Sequence, residues 1–228
     1  MTDTGDVYLG SPLLALTTRY AFTSCFFVDI DPAVVVALET RCQASSVRER
    51  VHCFVGDSNA IVGDIVKRIR SAPEVRQSLN LAFLDPEGLE LHWRTVARLA
   101  QLRTDLIVYY PQNALDRNIA QFCERGDETP ADRYFGDREW RTVYAEWQRT
   151  RAPGGLHPRL MDYYKERLRS LGYAEVLRDD ETGDEPLIRN SDRNAPLYRL
   201  LFASKHPLGH EFWHKVTQRD LHGQRRLL

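Results

Sequence analysis

Residues 24–32 read Ser-Cys-Phe-Phe-Val-Asp-Ile-Asp-Pro, and this run decides the fold class. From Ser24 to Val28 it is short, mostly apolar and uninterrupted; two acids and a proline close it. Such a run predicts a strand buried on both faces, as in a parallel sheet covered by helices. Asp31 suits a helix N-cap and Pro32 the first helical position. The helix predicted from there carries Val35, Leu38 and Cys42.

The same unit recurs downstream. Val51–Val55 predicts a second strand, ending at Gly56-Asp57, followed by a helix with Ile61, Ile65 and Ile69 in one stripe beside Val62 and Val66. Asn80–Leu84 predicts a third strand, ending at Asp85-Pro86-Glu87-Gly88, then a helix with Trp93, Val96, Ala97 and Ala100. Leu106–Tyr110, closed by Pro111, predicts a fourth. Strands alternating with helices mark an α/β fold with a mostly parallel, doubly wound sheet. Ligands of such sheets bind beyond the carboxyl ends of the strands.

From Glu124 to about Gly155 the texture changes. Tyr134, Phe135, Trp140, Tyr144 and Trp147 are interleaved with arginines, and residues 138–150 predict an amphipathic helix before the break Ala152-Pro153-Gly154-Gly155. Residues 124–157 read as a helical insertion within a single domain spanning 1–228, a cap that packs on the domain or contacts substrate at the crevice. A helix is predicted from Pro158 to Leu171, a strand at Tyr173–Leu177, a charged turn from Arg178 to Arg193, and a strand at Leu197–Ala203. The long connection allows those two strands to be antiparallel. A last helix starts near Pro207 and includes Phe212, Trp213 and Val216; a loose tail contains Gln224-Arg225-Arg226.

Composition narrows the classes. Lys+Arg number 31 and Asp+Glu 32, so no strongly basic nucleic-acid face is demanded. No apolar run reaches the roughly 18 residues of a membrane span, and the first residues, MTDTGDVYLG, lack the pattern of a secretory signal. The cytoplasm is therefore the expected location, and no membrane partner is expected. Cys25, Cys42, Cys53 and Cys123 form no CxxC pair, and Cys25 and Cys53 read as reduced core residues. No metal site is expected: the seven histidines show no ligand spacing, and His206 and His210 lie around Pro207 and Gly209.

The strand-end acids are the candidate chemistry. Asp29, with Asp31 as the alternative, can accept hydrogen bonds from ribose hydroxyls; Asp31 can equally be only a helix cap. Asp57, with Ser58 beside it, can accept from an adenine amino group, or the turn can be capped at Ser58 or Asn59. Asp85 and Pro86 form an acid-proline turn of the kind that holds a target amine in amino-group methyltransferases; no aromatic residue follows to stack on a base. Asn113 to Asn118 can line the same crevice, or Asn113 can cap a helix.

Several segments together resemble the three-Cys-motif partner protein (TcmP) family. They are Gly10–Leu16, the FFVDID run to Asp31, Gly56-Asp57-Ser58-Asn59, Leu84–Leu89, Asp116-Arg117-Asn118, Tyr134-Phe135-Gly136 with Trp140, and Leu197 to Trp213. The resemblance implies a Rossmann-like, methyltransferase-type domain, S-adenosylmethionine as cofactor, and a protein partner carrying the three-Cys motif. Members of that family begin with a strand and a Phe-Ala-Gly-Pro-Gly type turn upstream of the Gly-Ser-Pro motif, and here only nine residues precede Gly10. In a methyltransferase sheet that first strand is central, between the second and the fourth. The expectation is a sheet lacking its first central strand, from a start placed too late, from a remnant form, or with the gap closed by pairing Ser24–Val28 with Asn80–Leu84. Three functions follow: an S-adenosylmethionine-dependent methyltransferase of unknown acceptor, a catalytically inactive partner protein, and a nucleic-acid-modifying enzyme that binds a strand through the aromatic insertion.

Overall fold

The computed structural model describes residues 10–43, 48–72, 78–173, 185–190 and 193–217. The chain divides into two compact units, Met1–Arg68 and Ile69–Leu228. The predicted strand at Tyr173–Leu177, beyond Tyr173 itself, and the predicted tail lie outside the described residues.

The first unit opens on helix α1 (Ser11–Leu16), continues through β1 (Cys25–Asp29) and α2 (Pro32–Gln43), and reaches β2 (Val51–Val55) after a 3₁₀ turn at Arg48–Arg50. β1 and β2 are parallel, in register from Cys25 opposite Val51 to Asp29 opposite Val55. α2 packs on both strands through its buried Val35 and Cys42. The amide of Gly56 donates to the Asp29 carbonyl at 2.8 Å, so the two strand ends are tied together. Gly56 sits at φ +146°, where a side chain is strained. Helix α3 (Ser58–Ser71) follows, and the boundary between the units falls within it. Its Val62, Ile65, Val66 and Ile69 are buried, as their spacing predicts, while Ile61 of the same stripe is half-buried.

The second unit is built on β3 (Asn80–Leu84), α4 (Trp93–Leu99), β4 (Thr104–Tyr110), α5 (Gln112–Glu124), α6 (Pro130–Phe135), α7 (Trp140–Thr150), α8 (Leu156–Ser170), β5 (Leu187–Arg189), β6 (Pro196–Ala203) and α9 (Pro207–Thr217). The sheet order is β3-β4-β6-β5. β3 and β4 are parallel, while β6 runs antiparallel to both β4 and β5. The architecture is thus α/β with mixed sheets flanked by helices. The short strand β5 falls inside the stretch expected to be a charged turn; Leu187 and Ile188 supply the only apolar pair there, enough for three residues of ladder.

The expectation that every strand is buried on both faces holds for β4 but fails for β3. Leu106, Val108, Tyr109 and Tyr110 are buried, whereas Leu81 and Phe83 are 49% and 43% exposed. Among the described residues β3 is an edge strand, so its apolar run records a surface as well as a core. The ladders β1–β2 and β3–β4 leave β1 and β3 with one partner each; among the described residues the alternative pairing of Ser24–Val28 with Asn80–Leu84 is not formed.

The insertion folds inward. Tyr134, Phe135 and Trp140 are fully buried and Tyr144 nearly so. Tyr134 stacks on Tyr164 of α8 with centroids 5.0 Å apart, Trp93 of α4 meets Tyr164 edge-on at 5.3 Å, and Phe135 stacks on Trp140 at 5.8 Å. These rings form a core that joins α4, α6, α7 and α8, each pair contributing beyond its buried area. Thr129 and Asp132 close a capping box at the start of α6, and Gly136 ends the helix at φ +84°. No described helix is long and apolar enough to cross a membrane.

Candidate functional sites

In the first unit the strand-end acids occupy adjoining turns. Asp29 closes β1; its Oδ1 accepts the Asp31 amide at 2.8 Å. Asp31 Oδ1 in turn accepts the Ala33 amide at 2.7 Å, so Asp31 caps α2. Asp57 follows β2; its Oδ1 accepts both the amide and the side-chain nitrogen of Asn59, at 2.8 and 2.9 Å. Its carbonyl accepts from the amides of Ala60 and Ile61. The cap of α3 is therefore Asp57 rather than Ser58 or Asn59, because the carboxylate reaches two residues forward in an Asx turn. Ser58 is exposed on the first turn of the helix. Asp29 and Asp57 each fix one oxygen in their own turn. Each leaves the other oxygen, Oδ2, without a hydrogen bond from any described residue.

In the second unit Asp85 follows β3 and Tyr109 lies near the end of β4. The parallel register pairs Leu84 with Val108, so Asp85 and Tyr109 come next in line and share a face. The antiparallel register pairs Tyr109 with Leu200, which puts Leu200 and Tyr198, two residues away, on that same face. The Tyr109 and Tyr198 rings are 4.5 Å apart at an interplanar angle of 35°. Partial desolvation raises the Asp85 carboxyl, although the residue as a whole is exposed. Burial, then the Asp85 carboxylate, push both phenols up. The Tyr109 hydroxyl donates to the Glu87 carbonyl at 3.4 Å, a long bond that rests on the Asp85-Pro86-Glu87-Gly88 turn. Asp85 itself accepts no hydrogen bond from a described residue.

Tyr110, next along β4, faces the other way and is fully buried. Its hydroxyl lies 3.0 Å from His157 Nδ1, and His157 Nε2 lies 2.7 Å from Asp116 Oδ1. A carboxylate only accepts, so Nε2 carries the proton, and in the neutral ring Nδ1 accepts from the phenol. Asn113 does not cap α5, whose N-cap is Pro111 with no side-chain bond. Within the stretch Asn113 to Asn118, Arg117 Nε donates to the Asn113 carbonyl at 3.3 Å and Asn118 Nδ2 to the Ala114 carbonyl at 2.8 Å.

Tyr109, Tyr198 and His157 were not among the residues expected from sequence. Each is placed by long-range strand or helix packing that leaves no local pattern. The cysteines are all free thiols, Cys25 and Cys42 buried and pushed up by that burial. Among the described residues no group of three His, Cys, Asp or Glu side chains is placed to hold a metal ion. Comparison with protein families, with curated proteins and with solved structures finds no match to this chain.

Proposed function

We propose that this chain is a methyltransferase-like protein of the three-Cys-motif partner type, using S-adenosylmethionine. The observation that carries this reading is the pair Asp29 and Asp57. They close neighbouring parallel strands, and each keeps one oxygen free. Two such acceptors suit the hydroxyls of a ribose and the amino group of an adenine, so the residues present fit the adenosine half of the cofactor.

Bound S-adenosylmethionine supplies an activated methyl group. The chain's own contribution is positioning. Asp29 orients the ribose and Asp57 the adenine. Asp85, held in its turn by Pro86, accepts a hydrogen bond from the acceptor. Asp31 and Ser58, the remaining cofactor candidates, belong to the same two turns, where Asp31 serves by fixing the start of α2. A protein partner carrying the three-Cys motif is part of this reading. Strand binding through the insertion has less support, because Tyr134, Phe135 and Trp140 are buried and have no face to offer a base.

The test is calorimetry of the full chain with S-adenosylhomocysteine. Binding that weakens at least tenfold in Asp29→Ala and Asp57→Ala supports the proposal. No heat at millimolar ligand overturns it.

A further inference from the structure

The second unit holds an acid–aromatic corner that the strand-end argument does not explain. Asp85 follows the end of β3, while Tyr109 of β4 and Tyr198 of β6 share one face of the sheet, and the Asp85 charge acts on both phenols. The two rings lie against each other at 4.5 Å. Tyr109 is buried behind, while Tyr198 is partly exposed beside the exposed Asp85. A structural carboxylate is normally tied into its turn, as Asp29 and Asp57 are, yet Asp85 has no such bond. The charges acting on the Tyr109 phenol are those of Asp85 and Glu90 against Arg117, with Arg117 the weakest of the three. The Arg117 guanidinium is held on α5 by the Asn113 carbonyl. The corner therefore combines the Asp85 carboxylate with the π-systems of two phenols.

We propose that Asp85, Tyr109 and Tyr198 form a binding corner for an alkylammonium group, so that the ligand of the second unit is a cationic amine. A carboxylate attracts the ammonium charge and takes its N–H bonds. The tyrosine beside it offers a face to the charge and to the methylenes that carry it. A neutral ligand of equal size gains only the methylene contacts. An anionic ligand is repelled by Asp85. This inference rests on the reading of Asp85 as an acceptor site and concerns binding alone, since an ammonium must release a proton to solvent before its nitrogen can take a methyl group; the corner is testable without any cofactor.

The experiment follows the tyrosine ring signals of the full chain by NMR during titration with n-butylammonium chloride and, separately, with n-butanol. Saturable shifts at Tyr109 and Tyr198 with the ammonium, and at least tenfold weaker binding of the alcohol, are expected. Asp85→Asn should weaken the ammonium at least tenfold, and Tyr198→Leu severalfold. Tyr198→Phe, which keeps the ring, should lose less than Tyr198→Leu. Equal response to amine and alcohol, or unchanged binding in Asp85→Asn, overturns the inference. Repeating the titration beside the S-adenosylhomocysteine measurement separates the two claims. Ammonium binding without cofactor binding removes the methyltransferase reading alone; cofactor binding with no preference for the ammonium removes this one alone.

Discussion

Arg141 grips Asp132 through two parallel hydrogen bonds, Nε to Oδ1 at 3.2 Å and Nη2 to Oδ2 at 2.7 Å. The same carboxylate accepts the Trp140 indole at 2.9 Å and the Thr129 amide at 2.8 Å, and its side chain is 4% exposed. One acid thus caps α6, orients a buried indole and anchors α7. Asp132→Ala should destabilise the second unit by about 3–5 kcal/mol, since it strands a half-buried guanidinium and an indole N–H. Arg141→Met should cost less, because the remaining donors still satisfy the acid. Urea unfolding of the three proteins checks the order; equal stability of Asp132→Ala and parent would contradict it.

Acid should act through the same residue. Burial alone would raise the Asp132 carboxyl, but Arg141, Thr129 and Trp140 together outweigh it and hold it below the usual carboxylate value of 3.8. A depressed folded-state value means that stability is complete above the unfolded value and is lost as pH falls through the folded one. Melting temperature should therefore hold from pH 7 to about 4 and drop below that. Asp132→Asn should flatten part of that drop. A parent and variant with parallel pH profiles would show that the acid sensitivity resides elsewhere.

Gly136 ends α6 in a left-handed conformation, with the Trp93 ring packed where a β-carbon would project. Gly136→Ala meets both a backbone penalty and an overlap, together about 2–4 kcal/mol. Its effect should shrink in a Trp93→Leu background, measured as a double-mutant cycle by thermal unfolding. Additive losses would mean that the ring is not the obstacle.

Lys165 and Glu185 form an ion pair with both side chains buried. Removing either partner leaves a buried charge, so Lys165→Met and Glu185→Leu should each cost about 3–5 kcal/mol. The double replacement should recover most of that loss, because the desolvation of both charges disappears with them. Chemical denaturation of all four proteins decides it; a double variant as unstable as the sum of the singles would refute the coupling.

His157 supplies the hydrogen-bond partner of the buried Tyr110 hydroxyl. His157→Ala should cost about 1–3 kcal/mol by leaving that hydroxyl unsatisfied. Adding Tyr110→Phe should return part of it. If the second change deepens the loss, the hydroxyl has found another partner.

Much of the scaffold was readable because apolar runs bounded by acids and prolines carry their own boundaries. Val51–Val55 and Asn80–Leu84 are strands at the residues expected, and β1 and β6 differ from expectation by one residue at their starts or ends. The acids Asp29, Asp57 and Asp85 stand out for the same reason, since a strand end is a local event. What stayed hidden was non-local. Nothing in the run Leu197–Ala203 says that it will lie between β4 and β5 and carry Tyr198 to Tyr109. The open face of β3 was equally illegible, because Leu81 and Phe83 look the same whether or not anything covers them. The helix cap was misplaced by one or two residues, since Asp57, Ser58 and Asn59 are all good caps and only the turn geometry chooses among them.

The placement of β6 also sets when the second unit's corner comes into being. Asp85 and Tyr109 can be in register as soon as β3 and β4 have paired, but Tyr198 joins them only after the chain has closed a loop around α5 to α8. A nascent chain still held on the ribosome short of Phe202, or a product clipped before β6, would have the acid and one ring but no second ring beside them. The proposed amine binding at this face would then strengthen once β6 has docked.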